Sequence, residues 1–237
     1  MCNKKSCAVI AAAGSGTRMG GVSKPNIVLC GKTLFEYVLK AFCESSVDEI
    51  VVVCSSDNEN SLFNLAKEFG KPIKFVLGGK TRAESVGNGI TEASKDAEII
   101  CVHDCARPFV TPQMIDQTIL SASKNGAACV CSPVTDTIKS KDPITGFVST
   151  PDRKTLFAVQ TPQTFKKSLY NFAKNAVGEN LSDFTDETSL LEEIGVAVDY
   201  IECNETNMKL TSASDMEIAE ILMKRRVEND DKNWSRI

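Results

Sequence analysis

Seven short apolar runs punctuate the chain: Cys7–Ala13, Ile50–Cys54, Ile73–Leu77, Ile99–Val102, Ala127–Cys131, Phe157–Gln160 and Val196–Glu202. Each is nearly continuous rather than alternating, as expected of strands covered on both faces, and helix-like segments separate them. The pattern predicts an α/β domain of three layers around a mostly parallel sheet.

Helix starts carry their own punctuation. Thr33-Leu-Phe-Glu36 and Ser214-Asp-Met-Glu217 read as capping boxes, in which hydroxyl and carboxylate each satisfy an unpaired backbone donor. Thr111-Pro112 and Thr161-Pro162 place proline at a first helical position, where its missing N–H costs nothing. The last helix, Asp215–Arg226, has acids first and Lys224, Arg225 and Arg226 last, matching the helix dipole, and is expected to lay Ile218, Ile221 and Leu222 on the sheet. The single domain is expected over residues 1–227, with a polar, frayed tail at 228–237. One segment breaks the alternation: Thr137–Ser140 and Phe147–Thr150 flank the turn-forming Asp142-Pro143-Ile144-Thr145-Gly146. This predicts an inserted β-hairpin, which needs something to lie on.

Charge and composition narrow the function. The net charge of −4, with no basic block longer than Lys224–Arg226, lacks the footprint of a nucleic-acid binder. No apolar window approaches the roughly 18 residues of a membrane span, so a cytoplasmic protein is expected. Ten cysteines without a CxxC pair, and one histidine, read as reduced thiols rather than a zinc site, with Cys54, Cys101, Cys129 and Cys131 in apolar stretches.

The strongest local signal is Ala11-Ala12-Ala13-Gly14-Ser15-Gly16-Thr17-Arg18-Met19-Gly20, directly after the first strand. Small residues let the backbone approach a ligand, and Arg18 and Lys24 add fixed positive charge, which suits a triphosphate. A dinucleotide fingerprint fails because Met19 stands where a small residue is needed. A Walker A loop fails because Lys74 and Asn26 stand where glycine must precede Gly79-Lys80-Thr81 and Gly31-Lys32-Thr33. A second cluster, His103-Asp104-Cys105-Ala106-Arg107-Pro108, ends a middle strand, where open α/β sheets bind ligands. Asp104 offers a hard oxygen to Mg²⁺, whereas His103 reads as a hydrogen-bonded core residue.

The ordered set Gly14-x-Gly16-Thr-Arg18-Met, Gly78-Gly79-x-x-Arg82-x-x-Ser85-Val86-x-x-Gly89, Val102-His-Asp104-x-Ala106-Arg107-Pro108, Asp136-Thr137-Ile-Lys139, Asp152-Arg153, Gln160-Thr161-Pro162-Gln163, Thr185-Asp186-Glu187 and Asn207-Met-Lys209-Leu-Thr211 resembles the 2-C-methyl-D-erythritol 4-phosphate cytidylyltransferases from about Ala8 to Met223. The resemblance implies a Rossmann-like nucleotidyltransferase domain that moves CMP from CTP to a polyol phosphate with a divalent cation such as Mg²⁺. It also implies a homodimer whose hairpin arm, about 136–156, clasps the second subunit. By similarity, Arg18 and Lys24 stabilise the triphosphate and transition state, and Arg153 and Lys209 aim the acceptor phosphate. Ala11, Ala12, Ala13, Gly14, Gly16, Gly79, Lys80, Ser85, Asp104 and Ala106 would hold CTP, while Asp104, Arg107, Thr137 and Thr185 would touch the acceptor. Pro25, which follows Lys24, departs from the family pattern and should bias Lys24 away from helical backbone. Ribitol-5-phosphate cytidylyltransferase shares this chemistry and is the nearest alternative.

Overall fold

The computed structural model describes residues 4–14, 23–203 and 206–234, with only the backbone of Glu179 and 227–234. All seven apolar runs become strands of one sheet: β1 (Ser6–Ala11), β4 (Glu49–Cys54), β5 (Ile73–Leu77), β6 (Ile99–Asp104), β7 (Ala127–Pro133), β10 (Phe157–Lys166) and β11 (Val198–Glu202). Their order is β11-β7-β10-β6-β1-β4-β5. β10 alone runs antiparallel to its neighbours.

Alternate residues of β1 face opposite layers. Ala8 and Ile10 pack with α1 (Leu34–Glu44), α2 (Glu59–Ala66) and α4 (Pro112–Asn125), while Cys7 and Val9 pack with α3 (Arg82–Glu92), α5 (Lys167–Val177) and α6 (Glu187–Glu193). Double-sided burial is why the strands read as unbroken apolar runs. Every described cysteine is a free thiol, and Cys54, Cys101, Cys129 and Cys131 are buried.

The expected capping box of α1 is present, with Glu36 N donating to Thr33 Oγ1 at 3.2 Å and Thr33 N to Glu36 Oε2 at 2.7 Å. Thr111 caps α4 ahead of Pro112. Thr161-Pro162, by contrast, starts no helix. It lies inside β10, where the pairing with β7 is irregular between Val159 and Gln163. A proline without an N–H is accommodated at such an irregularity.

The final helix, α7 (Ala213–Trp234), also differs from expectation. Its reciprocal cap is Ser212 with Asp215, two residues earlier than the Ser214–Glu217 pair: Asp215 N donates to Ser212 Oγ at 3.3 Å, and Ser212 N to Asp215 Oδ2 at 2.8 Å. It continues past Arg226 rather than fraying at residue 228. Its apolar stripe is Ala219 and Met223, buried, with Met216 and the expected Leu222 partly buried beside them, packed with Leu29, Leu34, Phe109 and Leu210 and not on the main sheet. Ile218 and Ile221 are 52% and 56% exposed. The i, i+3, i+7 spacing of Met216, Ala219 and Met223 describes a helical face as well as the i, i+3, i+4 spacing of Ile218, Ile221 and Leu222, so side-chain hydrophobicity misled where geometry did not decide.

Two small antiparallel ribbons complete the chain: β2 (Val28–Leu29) with β3 (Lys32–Thr33), and β8 (Ser140–Lys141) with β9 (Val148–Ser149). The second is the expected hairpin, with shorter strands than Thr137–Ser140 and Phe147–Thr150.

Candidate active site

The chain steps from β1 outward to β4 and β5, then returns to place β6 on the other side of β1. Loops leaving the ends of β1 and β6 therefore diverge, which opens a crevice at the switch point. A cleft of about 530 Å³ occupies it, with Gly14, Lys24, Gly79, Arg82, Asp104 and Lys209 among its walls.

Two polar side chains shape the wall made by the loops after β1 and β5. Asn58, fully buried, donates from Nδ2 to the Ala12 carbonyl at 2.9 Å and to Ser23 Oγ at 2.8 Å, tying the start of the glycine loop to the segment where it returns. Ser85 accepts from Gly79 N at 3.0 Å and donates to Thr81 O at 2.8 Å. Lys80 N donates to Glu84 Oε2 at 2.7 Å. The amides of Gly79 and Lys80 thus bond to their own helix start. A Cβ on Gly78 would meet Ala13 Cβ at 2.7 Å, so the loops after β1 and β5 touch only because that residue is glycine.

Lys24 opens a single 3-10 turn, Lys24–Asn26, contrary to the expected bias against helical backbone. Pro25 falls in the first turn, where its missing N–H was unpaired anyway. From there Lys24 Nζ donates to the Leu210 carbonyl at 3.1 Å.

The floor of the cleft is an ion cluster. Asp104 Oδ2 accepts from Lys209 Nζ at 2.6 Å, and Oδ1 faces Arg82 Nε and Nη2 at 3.3 Å each. Arg82 also forks onto Glu187, Nη1 to Oε1 at 2.8 Å and Nη2 to Oε2 at 3.0 Å. Burial alone would raise the Asp104 carboxyl, but Arg82 and then Lys209 hold it well below the usual carboxylate range.

The backbone of this cluster rests on Thr161 and His103. Burial lowers His103 to about 4, so the ring is neutral. Its Nε2 faces the Arg107 carbonyl at 3.2 Å and must donate, which leaves Nδ1 to accept from the Thr161 hydroxyl at 3.1 Å. The same hydroxyl accepts from Asp104 N at 3.1 Å. His103 is therefore the buried, hydrogen-bonded residue expected, and among the described residues no three His, Cys, Asp or Glu side chains converge on a metal position.

Of the residues singled out in the sequence, Ala11, Ala12, Ala13, Gly14, Lys24, Gly79, Lys80, Ser85, Asp104, Ala106 and Lys209 line this one cleft. Gly16 and Arg18 lie outside the described residues. Arg107 does not line the cleft; its Nη1 donates to the Asn207 carbonyl at 2.9 Å, which braces the loop below Lys209. Thr185 borders a separate small pocket with Tyr170 and Leu181. Thr137 and Arg153 sit exposed at the hairpin, Arg153 donating to the Thr135 carbonyl at 2.8 Å. The sequence pointed to no part in the site for Arg82, Glu187, Asn58 or Thr161. Arg82, Glu187 and Thr161 stand inside quoted motifs, which is the signal that could have found them.

A family model described as 2-C-methyl-D-erythritol 4-phosphate cytidylyltransferase (IspD) matches residues 6–225. The chain belongs to this cytidylyltransferase family. It is 40% identical over 223 residues to the 2-C-methyl-D-erythritol 4-phosphate cytidylyltransferase of Caldanaerobacter subterraneus subsp. tengcongensis, covering 92% of this chain and 98% of that protein. The chloroplastic relative of the same name from Oryza sativa subsp. japonica is 37% identical, over 92% of this chain and 74% of its own length. Among solved structures, the 4-diphosphocytidyl-2C-methyl-D-erythritol synthase of Anaerococcus prevotii superposes with a TM-score of 0.84 at 28% identity, covering 93% of this chain and 96% of that one. The 2-C-methyl-D-erythritol 4-phosphate cytidylyltransferase of Thermus thermophilus gives 0.75 at 28% identity, with 93% and 99% covered. The cytidylyltransferase fold thus has the mostly parallel seven-stranded sheet described above, and the chain is a nucleotidyltransferase enzyme.

Proposed function

We propose that this enzyme transfers CMP from CTP to 2-C-methyl-D-erythritol 4-phosphate and releases pyrophosphate, a step of non-mevalonate isoprenoid precursor synthesis. The family model and the relatives above are named for this acceptor, which favours it over ribitol 5-phosphate. One observation carries the site assignment. Lys24 Nζ bonds to the carbonyl of Leu210, the residue next to Lys209, so the two lysines expected to hold different substrates meet in one cleft.

An acceptor phosphate oxygen attacks the α-phosphorus in line while pyrophosphate leaves from the opposite side; positioning and charge stabilisation supply the catalysis. Lys24 faces the triphosphate, whose charge Arg18 would help to offset by similarity, and Lys209 draws the acceptor phosphate toward it. Ala11–Gly14 and the Gly79–Ser85 turn wall the base. Among the described residues lining the cleft, Asp104 is the sole acid, a donor set that fits a Mg²⁺ bound mostly through substrate oxygens and a single carboxylate. Bound there, the cation would offset charge on the phosphates.

Arg153 and Thr137, exposed on the arm, complete the acceptor site of a second subunit, while Arg107 acts from outside the cleft by bracing the loop that carries Lys209. This reading is supported by Ile144 and Phe147, which are 92% and 70% exposed at the hairpin tip, an arrangement suited to lying on another chain. No described helix is long and apolar enough to cross a membrane, in keeping with the proposed cytoplasmic homodimer.

Pyrophosphate release with CTP, Mg²⁺ and either polyol phosphate tests the reaction. Release with methylerythritol phosphate and little with ribitol 5-phosphate is expected; the reverse order overturns the acceptor. Co-assembled Lys24→Ala and Arg153→Ala chains should regain part of the activity each lacks, and failure to do so removes the shared site.

A further inference from the structure

The ion cluster under the cleft holds one guanidinium between two carboxylates, of which Asp104 lines the cleft and Glu187 does not. Arg82 gives its two-pronged edge to Glu187, at 2.8 and 3.0 Å, and reaches Asp104 Oδ1 only through the longer 3.3 Å contacts. Asp104 Oδ2 is left to Lys209 at 2.6 Å. Glu187 is buried on the first turn of α6, and its backbone is fixed from below: Glu187 N and Thr188 N donate to Gln163 Oε1 on β10 at 3.0 and 3.2 Å. Gln163 Nε2 in turn donates to Asp186 Oδ2 at 2.9 Å.

A forked arginine–carboxylate pair is the most directional ion pair proteins make. The orientation of Arg82 is therefore set by Glu187, on an element anchored to the sheet, and Asp104 receives what remains. With Glu187 uncharged, the same fork would be able to turn onto Asp104 and draw its second oxygen from Lys209. Arg82 lines the cleft, yet its charge is matched by acids from below, whereas among the described residues Lys209 pairs with Asp104 alone.

We propose that Glu187 and Arg82 are positioning residues for cytidylyl transfer: Glu187 takes the fork of Arg82, which reserves Asp104 Oδ2 for Lys209 and so aims the Lys209 ammonium at the acceptor phosphate. The proposal rests on the role assigned to Lys209 above. A merely structural pair would join α3 to α6 and affect melting alone.

The test measures single-turnover pyrophosphate release with CTP, Mg²⁺ and 2-C-methyl-D-erythritol 4-phosphate, per folded enzyme, beside thermal melts. Glu187→Gln removes the charge at constant shape, and Arg82→Lys keeps the charge without the fork. Each is expected to lower kcat/KM for the acceptor by about 10- to 100-fold, the scale on which misaligned reacting groups lose rate. The KM for CTP should stay within about twofold, as only acceptor alignment is changed. Adding Glu187→Gln to Lys209→Ala should cost almost nothing further, because both act on one group. Wild-type constants in folded Glu187→Gln, whatever its melting temperature, overturn the proposal, as does a full multiplicative loss in the double variant. If Glu187→Gln does not fold, Arg82→Lys decides by the same constants. A Lys209→Ala enzyme as active as wild type overturns the Lys209 assignment itself, and this proposal with it.

Discussion

Lys209 Nζ lies 2.6 Å from Asp104 Oδ2, although the two residues are 105 positions apart. The contact joins the end of β6 to the segment before α7 and sets the charge of the cleft floor. Asp104→Asn should abolish most activity and also reveal this pairing in stability. The folded carboxyl is depressed, so its contribution is present above the unfolded value near 4 and is lost as pH falls below it toward the folded value. Lys209 and Arg82 keep partial solvent access and Arg82 keeps Glu187, so a loss of about 1–3 kcal/mol at neutral pH is expected, less than for a fully buried pair. Denaturant melts of both proteins from pH 7 downward should keep a constant gap to about pH 4 and draw together below it as the unfolded carboxyl takes up its proton first. A gap that does not narrow below about pH 4 would mean that packing, not charge, is responsible.

His103 supplies a second acid sensitivity, in a higher pH window. Burial lowers it to about 4 from an ordinary value near 6.5, so the unfolded chain binds the extra proton first. Stability from this group is complete above about pH 6.5 and falls as pH drops toward 4, by something on the order of 3 kcal/mol. His103→Gln, which lacks a titrating ring, should flatten the stability profile between those values. An unchanged slope would locate the acid sensitivity elsewhere.

Gly89 belongs to a sequence motif shared with the cleft-lining Gly79 and Ser85, yet it sits where α3 crosses the sheet. An added Cβ would lie 2.4 Å from Val9 Cγ1 and 2.8 Å from Val53 Cγ2, both on fully buried, β-branched side chains. Helix propensity favours alanine by about 1 kcal/mol, but overpacking a rigid core costs about 1–3 kcal/mol. Gly89→Ala should therefore lower the melting temperature while leaving KM for CTP unchanged. A stabilised variant would show that α3 can lift off the sheet freely.

The legible parts of the fold are those whose side chains face apolar layers on both sides. The second half of β10 is the instructive miss. Thr161, Gln163 and Thr164 are polar yet buried, because each has a partner that sequence does not reveal: His103, Asp186 and Thr118. Polar letters after Thr161-Pro162 read as a capped helix only when those partners are unknown. The face of α7 failed for a related reason, since Ile218 and Ile221 outweigh Met216 and Ala219 in hydrophobicity but not in position. In the site, the small-residue walls and the two lysines were readable from local chemistry and resemblance. The Arg82–Glu187 fork was not, as it spans 105 positions and neither residue announces its partner.

The hairpin offers the sharpest test of assembly. β8 and β9 pair only with each other, in a sheet separate from the main one, and the tip between them carries Ile144 and Phe147 in solvent. Two-stranded ribbons are marginal in water, so contact with a second subunit would supply the missing apolar cover. Placing charge there, as Ile144→Asp with Phe147→Asp, leaves the main core untouched because neither side chain belongs to it. The double variant is expected to sediment as a monomer with an unchanged melting profile for the main domain. CTP binding should stay within about threefold, since Gly14, Lys24, Gly79 and Lys209 come from the same chain, while acceptor turnover should fall by about 100-fold or more, on the order expected for loss of a positioning arginine. A monomer with full turnover would show that Arg153 acts within its own chain or not at all, and a dimer that survives both substitutions would place the subunit interface elsewhere on the surface.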